Sequence, residues 1–432
     1  MKQTPDIRPH EYCGETWLDA RLPSARQDWR ASGKHSMLVD DRKGFEQHMG
    51  QLNWQWPSCD VVFISDVHAD ADAFLAALVA SGGIEKTGAA DTQFHLTTKG
   101  RAAHFIMGGD FFDKGPSNLR VLRVLRLLID CGASIDLLAG NHDIRVLYGM
   151  GSVGKKHEPH STHFFVRMGG KAVSFLKELR DDYLSHPAAL DGIPDQATCK
   201  KLLFPSEAWW EDFPARVATF ISPLAVKREM KKIRNKTSRF ENLCGKSGLS
   251  LREVYAAALK WQALFLSPSG EFHWFFDIMR LASHKGSFLF VHAGLDDNVA
   301  GMISKHGVTF VNQSFKKELL ANAFEFYYGP IANTIRTKYR AVDMPFTERG
   351  SQQLGDAGIT AIVHGHRNLH FGQRIVFRKN ILHFECDITL DSGTRRREGL
   401  KGCGAGATIF SPDGYALGIS SDYKKIKVFQ PG

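Results

Sequence analysis

Side chains of the types that can bind metal ions follow five short apolar runs of the sequence, at 61–64, 104–107, 135–138, 288–291 and 360–363. Soon after these runs come six oxygen or imidazole donors: Asp66, His68, Asp110, Asn141, His292 and His366. Such a mixture of donors is typical of manganese, iron or zinc sites, and not of all-oxygen calcium sites. The chemistry that it predicts is metal-assisted hydrolysis.

The elements that must position these donors are strands. Each apolar run is short enough to be a buried strand, and ligand sites in open α/β sheets gather beyond the carboxyl ends of strands. Neighbouring glycines let the backbone turn sharply and approach a bound anion. Taken singly, Asp66-Val67-His68 could be a surface turn, residues 140–143 another turn, and His292 a core histidine. Taken together and in this order, the five apolar runs with their donor residues predict a metal site.

Two cations in one site need a shared carboxylate, because the ions of such sites lie only about 3.5–4 Å apart. Asp110 is the natural bridge, since it follows the middle apolar run of the first half of the chain.

Composition narrows the class of protein. The chain has 432 residues, 43% hydrophobic and 23% charged, which is ordinary for a globular protein. It contains no apolar run near the roughly 20 residues that span a bilayer, and residues 1–12 do not resemble a secretory signal. The expected location is therefore the cytoplasm. Seven dispersed cysteines indicate reduced thiols, and the net charge of +9 favours anionic partners: phosphoesters, nucleotides or nucleic acid.

The pattern along the chain divides it into four parts. Residues 1–58 read as an amino-terminal arm packed on the main body, and residues 59–151 as the first half of the catalytic core, where short strands alternate with helices. Residues 152–285 have helical periodicity, clearest at 172–184 and 251–265, and predict a helical insertion. Residues 286–432 form the second half. From its place in the chain, the insertion could cover the crevice as a lid.

The motifs resemble those of the calcineurin-like metallophosphoesterases, within the phosphoprotein phosphatase superfamily. The pattern consists of Asp66-x-His68, then Gly-Asp-x-x-Asp-Lys-Gly at 109–115, Gly-Asn-His-Asp at 140–143, His-Ala-Gly at 292–294 and Gly-His at 365–366. The resemblance covers roughly 60–150 and 286–395. Residues 113–143 and Leu390-Asp391-Ser392-Gly393 are most similar to the bacterial branch, with its symmetrical bis(nucleoside) tetraphosphate hydrolases and small serine/threonine phosphatases.

This resemblance implies a fold and a set of ligand roles. The fold is α/β (α+β), a four-layer αββα sandwich of two mixed sheets flanked by helices, with a helical insertion. Asp66 and His68 would hold the first metal and Asp110 would bridge. The ligands of the second metal would be Asn141, His292 and His366. Two divalent ions are implied, Mn²⁺ first, with Fe or Zn as alternatives.

The resemblance also implies a mechanism. A hydroxide that bridges the metals attacks phosphorus in line, and His142, oriented by Asp113, protonates the departing oxygen. The substrate would be a phosphomonoester, a phosphoprotein or a nucleoside polyphosphate. Asp113 could instead cap a helix that begins near Pro116, and the two roles are compatible.

Two residues depart from the family pattern. Lys114 replaces the usual arginine of the second motif, and His364 stands where many members carry a phosphate-binding arginine. A lysine is a point charge and cannot grip phosphate with a planar fork. Arg145 and Arg367 are candidates to compensate, so the expected phosphate-binding residues are Lys114, His364, Arg367 and Arg145.

Two other functions compete with a phosphatase. A nuclease or phosphodiesterase of the same superfamily would suit the basic segments 227–236 and 395–397, which could clamp a polyanion or simply be solvated helix faces. Such nucleases end in Gly-His-x-His, whereas this chain has Gly-His-Arg-Asn at 365–368. A non-catalytic nucleic-acid-binding module, with aromatics at 272 and 274–276 stacking bases or forming helix core, is disfavoured because no expected ligand is missing.

Overall fold

A computed structural model of the chain describes residues 10–12, 25–31, 37–39, 42–154, 161–402, 404–420, 423 and 425–431. The chain divides into two compact units. The helical unit contains His142–Ile278 and Glu318–Gly329, and the sheet unit contains the described residues of the three remaining segments.

The strands all lie in the sheet unit. They are β1 (Arg26–Asp28), β2 (Met37–Leu38), β3 (Val61–Ile64), β4 (Ile84–Lys86), β5 (Phe94–Leu96), β6 (His104–Met107), β7 (Ser134–Leu138), β8 (Met279–Arg280), β9 (Ala282–Lys285), β10 (Phe288–Val291), β11 (Ala361–Asn368), β12 (Arg374–Arg378), β13 (Ile381–Asp387), β14 (Gly406–Ser411), β15 (Tyr415–Ser420) and β16 (Ile426–Phe429).

Two mixed sheets form the centre of this unit. The first has the strand order β1-β16-β15-β14-β3-β6-β7-β8, and the second has the order β2-β12-β13-β11-β10-β9. Strands β3, β6 and β7 run parallel, as do β10, β11 and β13. Strands β4 and β5 form a separate hairpin.

The core lies between the two large sheets. Phe63 of β3 packs on Phe290 of β10 with ring centroids 5.7 Å apart, and Phe288 packs on Phe410 of β14 at 4.7 Å. Strands buried on both faces are continuous apolar runs, which is why β3 and β10 could be recognised in the sequence. The five predicted strands are confirmed as β3, β6, β7, β10 and β11, and the mixed α/β sandwich flanked by helices is confirmed with them.

The helices of the chain are α1 (Arg42–Gln51), α2 (Ala71–Ala80), α3 (Thr98–Ala102), α4 (Asn118–Asp130), α5 (Asn141–Gly151), α6 (His163–Met168), α7 (Lys171–Tyr183), α8 (Gln196–Leu203), α9 (Glu207–Val217), α10 (Pro223–Lys246), α11 (Leu251–Phe265), α12 (His273–Asp277), α13 (Asp297–Ala321), α14 (Ala323–Tyr328), α15 (Glu348–Asp356) and α16 (Ser392–Arg397). Among the described residues, none of them is long and apolar enough to cross a membrane.

The helical unit contains the two helices that the sequence predicted, as α7 and α11. A capping box starts α11, in which the Ser250 side chain accepts from the Glu253 backbone N–H and the Glu253 carboxylate accepts from that of Ser250. The aromatics near 272–276 are core: Phe272 packs on Phe265 at 4.9 Å, and Phe275 is fully buried. Base stacking by these two rings is therefore excluded.

The basic segments have different environments. Helix α10 buries Val226 and Ile233 and leaves most of the cations around them exposed, as a solvated helix face does. Arg395, in contrast, is buried and donates to the carbonyl oxygens of Leu390 and Leu369. The hypothesis that residues 395–397 clamp a polyanion is wrong for Arg395, because its guanidinium is hydrogen-bonded to backbone carbonyls.

Parts of the predicted amino-terminal arm belong to the sheets. Strand β1 pairs with β16, and β2 pairs with β12. Trp29 is fully buried, and Trp54 stacks on Trp56 at 6.0 Å. Trp17 lies outside the described residues. The described segments of the arm thus extend both sheets.

Candidate metal centre

Asp110 lies at the centre of the predicted metal ligands in the sheet unit. Its Oδ2 is 3.8 Å from Nε2 of His68, and its Oδ1 is 3.5 Å from Nε2 of His292. The carboxylate is buried, with 2% of the residue exposed. The two oxygens therefore face two different groups of donors, as a bridging carboxylate requires.

The first group follows β3. Nε2 of His68 lies 3.7 Å from Oδ1 of Asp66. The backbone N–H of Asp66 donates to the Gly109 carbonyl, and that of His68 donates to the Asp110 carbonyl, so the loops after β3 and β6 are bonded to each other. This pairing explains why residues 42 or more positions apart in the sequence meet in space.

The second group comes from β7, β10 and β11. Nε2 of His292 lies 3.4 Å from Oδ1 of Asn141, the first residue of α5, and the rings of His292 and His366 are 5.1 Å apart. One donor atom from each of Asp110, His292 and His366 lies within 4.8 Å of the other two. The structure thus brings together all six predicted ligands, in two groups around Asp110.

Backbone hydrogen bonds fix the tautomers of two histidines. Nδ1 of His292 is 2.7 Å from the Gly108 carbonyl oxygen, and Nδ1 of His68 is 3.1 Å from that of Phe112. A carbonyl only accepts, so Nδ1 carries the proton and Nε2 keeps its lone pair. Metal-ligating histidines commonly use this arrangement, because the other ring nitrogen must offer its lone pair to the metal ion.

The backbone is strained at this site. Asp66, His68, Asp110 and His366 have φ values of 62°, 49°, 60° and 65°, in the left-handed region that residues with a Cβ rarely adopt. Residues held in such conformations cluster at functional sites, because the surrounding fold must offset the cost. The strain falls on four of the six predicted ligands.

His366 provides a test of whether the residues fit a metal ion. Its Nε2 is buried and has no hydrogen-bond partner among the described residues. Burial, followed by the proximity of His292, holds the pKa of His366 well below its usual value, so the ring is neutral. A neutral imidazole whose Nε2 is buried, and has no partner among the described residues, fits a divalent cation.

Asp66 shows the electrostatic cost of this donor set. Burial raises its pKa above the ordinary value, His292 opposes that shift, and the nearby Asp110 carboxylate adds to it. Crowded carboxylates need a cation nearby. Lys114 supplies one in this structure, since its Nζ contacts Nε2 of His68.

Asp113 and Lys114 occupy a tight turn, with φ values of 70° and 73°. Asp113 does not cap the following helix: α4 begins at Asn118, and its N-cap is Ser117, whose side chain accepts from the Arg120 N–H. The capping alternative is therefore wrong. The role of Asp113 as the residue that orients His142 stays a prediction.

His142 and Arg145 belong to the helical unit. His142 directly follows Asn141 in the first turn of α5, and Nη2 of Arg145 lies 2.6 Å from its Nδ1. Arg145 therefore contacts the predicted general acid one helical turn away. Its predicted phosphate contact is untested.

His364 and Arg367 flank His366 but have other neighbours. His364 is fully buried, packs against His383 with ring centroids 5.6 Å apart, and has its pKa lowered to about 4 by burial. Arg367 Nη1 donates to Oε1 of Glu385 at 2.9 Å. The structure does not place these two side chains with the six donors, and their phosphate-binding roles stay predictions.

Asp387, the last residue of β13, is not among the residues predicted from the sequence. Burial, and then the charge of Asp66, raise the pKa of Asp387 to about 7, while Lys114 opposes that shift. Asp387 is thus a buried carboxyl group electrostatically linked to the donor set. It ends the buried strand β13, but His383 and Glu385 interrupt the apolar residues of that strand, so the rule that found the other donors does not apply to it.

The match to a protein-family model agrees with this picture. A family model described as calcineurin-like phosphoesterase matches residues 60–239. No curated protein matches the chain. Similar solved structures include a cold-active protein tyrosine phosphatase, with 15% identity, 89% of this chain and 82% of that chain covered, and a TM-score of 0.46.

Two more are a protein serine/threonine phosphatase from Saccharomyces cerevisiae and a metallophosphoesterase from Sphaerobacter thermophilus. The first has 10% identity, 90% and 86% coverage of this chain and that chain, and a TM-score of 0.37. The second has 10% identity, 84% and 88% coverage, and a TM-score of 0.30. At these TM-scores the three likenesses carry no argument about this chain.

The fold, the family match and the candidate His/Asp metal-binding groups define a metal-dependent phosphoester hydrolase. Residues 60–239 match the calcineurin-like phosphoesterase family, which confirms the resemblance seen in the motifs and supports a phosphoric ester hydrolase.

Proposed function

We propose that the protein is a phosphatase that binds two divalent cations, Mn²⁺ first among them, on either side of Asp110. The observation that carries this proposal is the division of donors around that carboxylate. Oδ2 faces His68, and Oδ1 faces His292. The first cation would be held by Asp66 and His68, and the second by Asn141, His292 and His366, with Asp110 shared.

When bound, divalent cations activate water as Lewis acids and neutralise charge on phosphoryl oxygens. The chain itself supplies the fixed geometry. The Nδ1–H groups of His68 and His292 are anchored to carbonyls, so their Nε2 atoms are held towards Asp110 before any substrate arrives. Preorganised donors of this kind need no reorganisation during the reaction, which favours the transition state.

Lys114 contributes charge to the same site. Its ammonium contacts His68 and lowers the pKa of Asp66, and so lies among the proposed ligands. We assign it to the phosphoryl oxygens of the substrate, where a cation offsets the negative charge that accumulates during attack.

His142 is the proposed general acid. It follows Asn141 directly in the chain, and Arg145 contacts its Nδ1. The proton for the departing oxygen would come from this ring, and Asp113 is the group proposed to orient it. Such proton transfer is typically worth about 10²–10⁴-fold in rate.

The proposed substrates are phosphomonoesters, phosphoproteins or nucleoside polyphosphates. The test is to measure hydrolysis, with added Mn²⁺, of p-nitrophenyl phosphate, bis(p-nitrophenyl) phosphate, diadenosine tetraphosphate and a phosphopeptide. The proposed enzyme cleaves the monoester, the phosphopeptide or the diadenosine tetraphosphate faster than the diester. Preferred cleavage of the diester would replace the proposal with a phosphodiesterase, and no cleavage of any of the four would overturn it.

A further inference from the structure

Three arginines converge on one buried carboxylate on the outer face of the second sheet. Arg367 Nη1 lies 2.9 Å from Oε1 of Glu385, Arg374 Nε lies 2.7 Å from Oε2, and Arg378 Nη2 lies 3.9 Å from Oε1. Glu385 is fully buried, while the three arginine side chains are 16%, 25% and 24% exposed. Within the described part of the chain, none of these arginines pairs with a second carboxylate.

Strand register places them there. Glu385 of β13 is directly opposite Arg374 of β12 and His364 of β11, so the three side chains share a face. Arg378 lies four residues beyond Arg374 on β12, which returns it to the same face.

Arg367 reaches this face through an irregularity. The pairing of β11 with β13 shifts from His364↔Glu385 to Asn368↔Asp387. Over this stretch β11 advances by four residues while β13 advances by two. The extra residues let His366 join the metal donors while Arg367 joins Glu385. The same bulge therefore positions one residue of the metal-donor group and one residue of the arginine cluster.

The charges do not balance. Three guanidinium groups oppose one carboxylate, and that carboxylate is satisfied by Arg367 and Arg374, which donate to its two oxygens. Arg378 is beyond hydrogen-bond distance of Glu385. Its Nη1 and the Nε of Arg367 are buried without a hydrogen-bond partner among the described residues. Unmade hydrogen bonds to buried donors are unfavourable, so neutralising Glu385 does not by itself explain three arginines.

The ring of Tyr339 contacts two of the three arginines. The guanidinium carbons of Arg367 and Arg378 lie 5.2 Å and 4.4 Å from the centroid of its ring. The hydroxyl of Tyr339 accepts from the Leu295 N–H at 3.1 Å, which anchors the ring. Burial lowers the pKa of Arg378, and the charges of Arg367 and Arg374 act in the same direction, while Tyr339 and Glu385 oppose it. An additional anion would relieve this crowding.

We propose that Arg367, Arg374 and Arg378 form a phosphate-binding site, separate from the six metal donors. A planar guanidinium matches the oxygens of a phosphate group in pairs, and two or more such forks suit a tetrahedral dianion better than a carboxylate. The phosphate is either a second phosphate group of the substrate or a free phosphate ion. The first source rests on the proposed function, and the second does not.

The test counts inorganic phosphate ions bound to the full-length, metal-loaded protein by isothermal titration calorimetry. Arg378→Gln is the first variant, because Arg378 makes no hydrogen bond to Glu385 and its loss leaves that ion pair intact. Arg374→Gln is the second, because Arg367 still donates to Glu385 when the charge of Arg374 is lost. Arg349→Gln, an exposed arginine of α15, is the control for lost charge.

Each test variant is expected to bind one phosphate ion fewer than wild type, or to bind it at least about tenfold more weakly. Arg349→Gln is expected to match wild type. Failure of the metal centre would lower the wild-type count, yet Arg378→Gln would still remove one more ion, so the two failures are distinguishable. Wild-type phosphate binding by both test variants would overturn the site, as would stronger binding of succinate than of phosphate by wild type.

Kinetics separates the two sources of phosphate. If the site holds a second substrate phosphate, Arg378→Gln raises KM for adenosine triphosphate several-fold and leaves KM for p-nitrophenyl phosphate unchanged. If it holds free phosphate, both KM values stay unchanged while phosphate binding is lost.

Discussion

The backbone N–H of His366 donates to Oδ2 of Asp66 at 2.8 Å, joining two residues 300 positions apart in the chain. The hydroxyl of Ser65 donates to the same oxygen at 2.7 Å. With Oδ2 held by these two donors, Oδ1 is the oxygen that faces His68 at 3.7 Å. The last motif of the sequence therefore orients the first ligand of the proposed centre.

Gly365 is the residue that permits this contact. A Cβ on Gly365 would lie 2.0 Å from Oδ2 of Asp66 and from Oγ of Ser65. Gly365→Ala is expected to weaken Mn²⁺ binding at least tenfold and to lower the free energy of unfolding by about 1–3 kcal/mol, because the carboxylate must move. Calorimetric titration with Mn²⁺ and urea unfolding measure the two effects.

The matched control is Gly355→Ala in α15, where an added Cβ meets nothing within 4 Å. Alanine is the better helix former, so this variant is expected to gain up to about 1 kcal/mol and to bind Mn²⁺ normally. Equal Mn²⁺ affinity in the two variants would contradict the role given to Gly365.

His142→Asn is expected to keep metal binding and to lose turnover. On an alkyl phosphoester, whose leaving group needs a proton, kcat should fall by about 10²–10⁴-fold. With p-nitrophenyl phosphate the loss should be smaller, because that leaving group is stable without protonation. Equal losses on the two substrates would show that His142 does something other than donate a proton.

Asp136 in β7 makes stability depend on pH. Burial alone would raise its pKa, but hydrogen bonds with His104 and with Ser283 outweigh burial and hold the pKa of Asp136 below its ordinary value of 3.8. A depressed carboxyl pKa stabilises the fold above the pKa of the unfolded chain, and this contribution is lost as the pH falls through the folded value.

Asp136→Asn is therefore expected to lower the free energy of unfolding by about 1–3 kcal/mol at pH 7, with a difference that shrinks below about pH 4. Urea unfolding at pH 7 and pH 3 gives both numbers. Asp130→Asn, which removes an exposed i,i+4 ion pair with Arg126, should change stability by less than about 0.5 kcal/mol. A loss of unfolding free energy in Asp136→Asn that grows towards pH 3 would contradict this expectation.

The sequence was informative where a strand ends in a donor. β3 and β10 are continuous apolar runs followed at once by Asp66 and His292, so both the strands and the ligands could be predicted from short-range pattern. The arginine cluster could not, because it depends on the register of β12 against β13 and on the bulge before Asn368. Register follows from the hydrophobic pattern and the turns of both strands together, and the bulge adds residues that no single segment of the sequence marks.

The surroundings of His364 illustrate the same limit. Its place in the family pattern suggested a phosphate contact, which stays a prediction, and the structure shows the side chain fully buried against Tyr339 and His383. Alternation along β11 would place residues 364 and 366 on one face, and the left-handed backbone at His366 breaks that alternation. Backbone strain of this kind is visible only in the structure.

The most direct test of the bridging role of Asp110 is Mn²⁺ binding and p-nitrophenyl phosphate hydrolysis by Asp110→Asn, with the surface variant Asp130→Asn as control. The wild-type chain is expected to bind about two Mn²⁺ ions. Asp110→Asn is expected to lose at least one ion together with nearly all hydrolysis, while the control matches wild type. Wild-type Mn²⁺ stoichiometry and activity in Asp110→Asn would rule out a bridging role for Asp110.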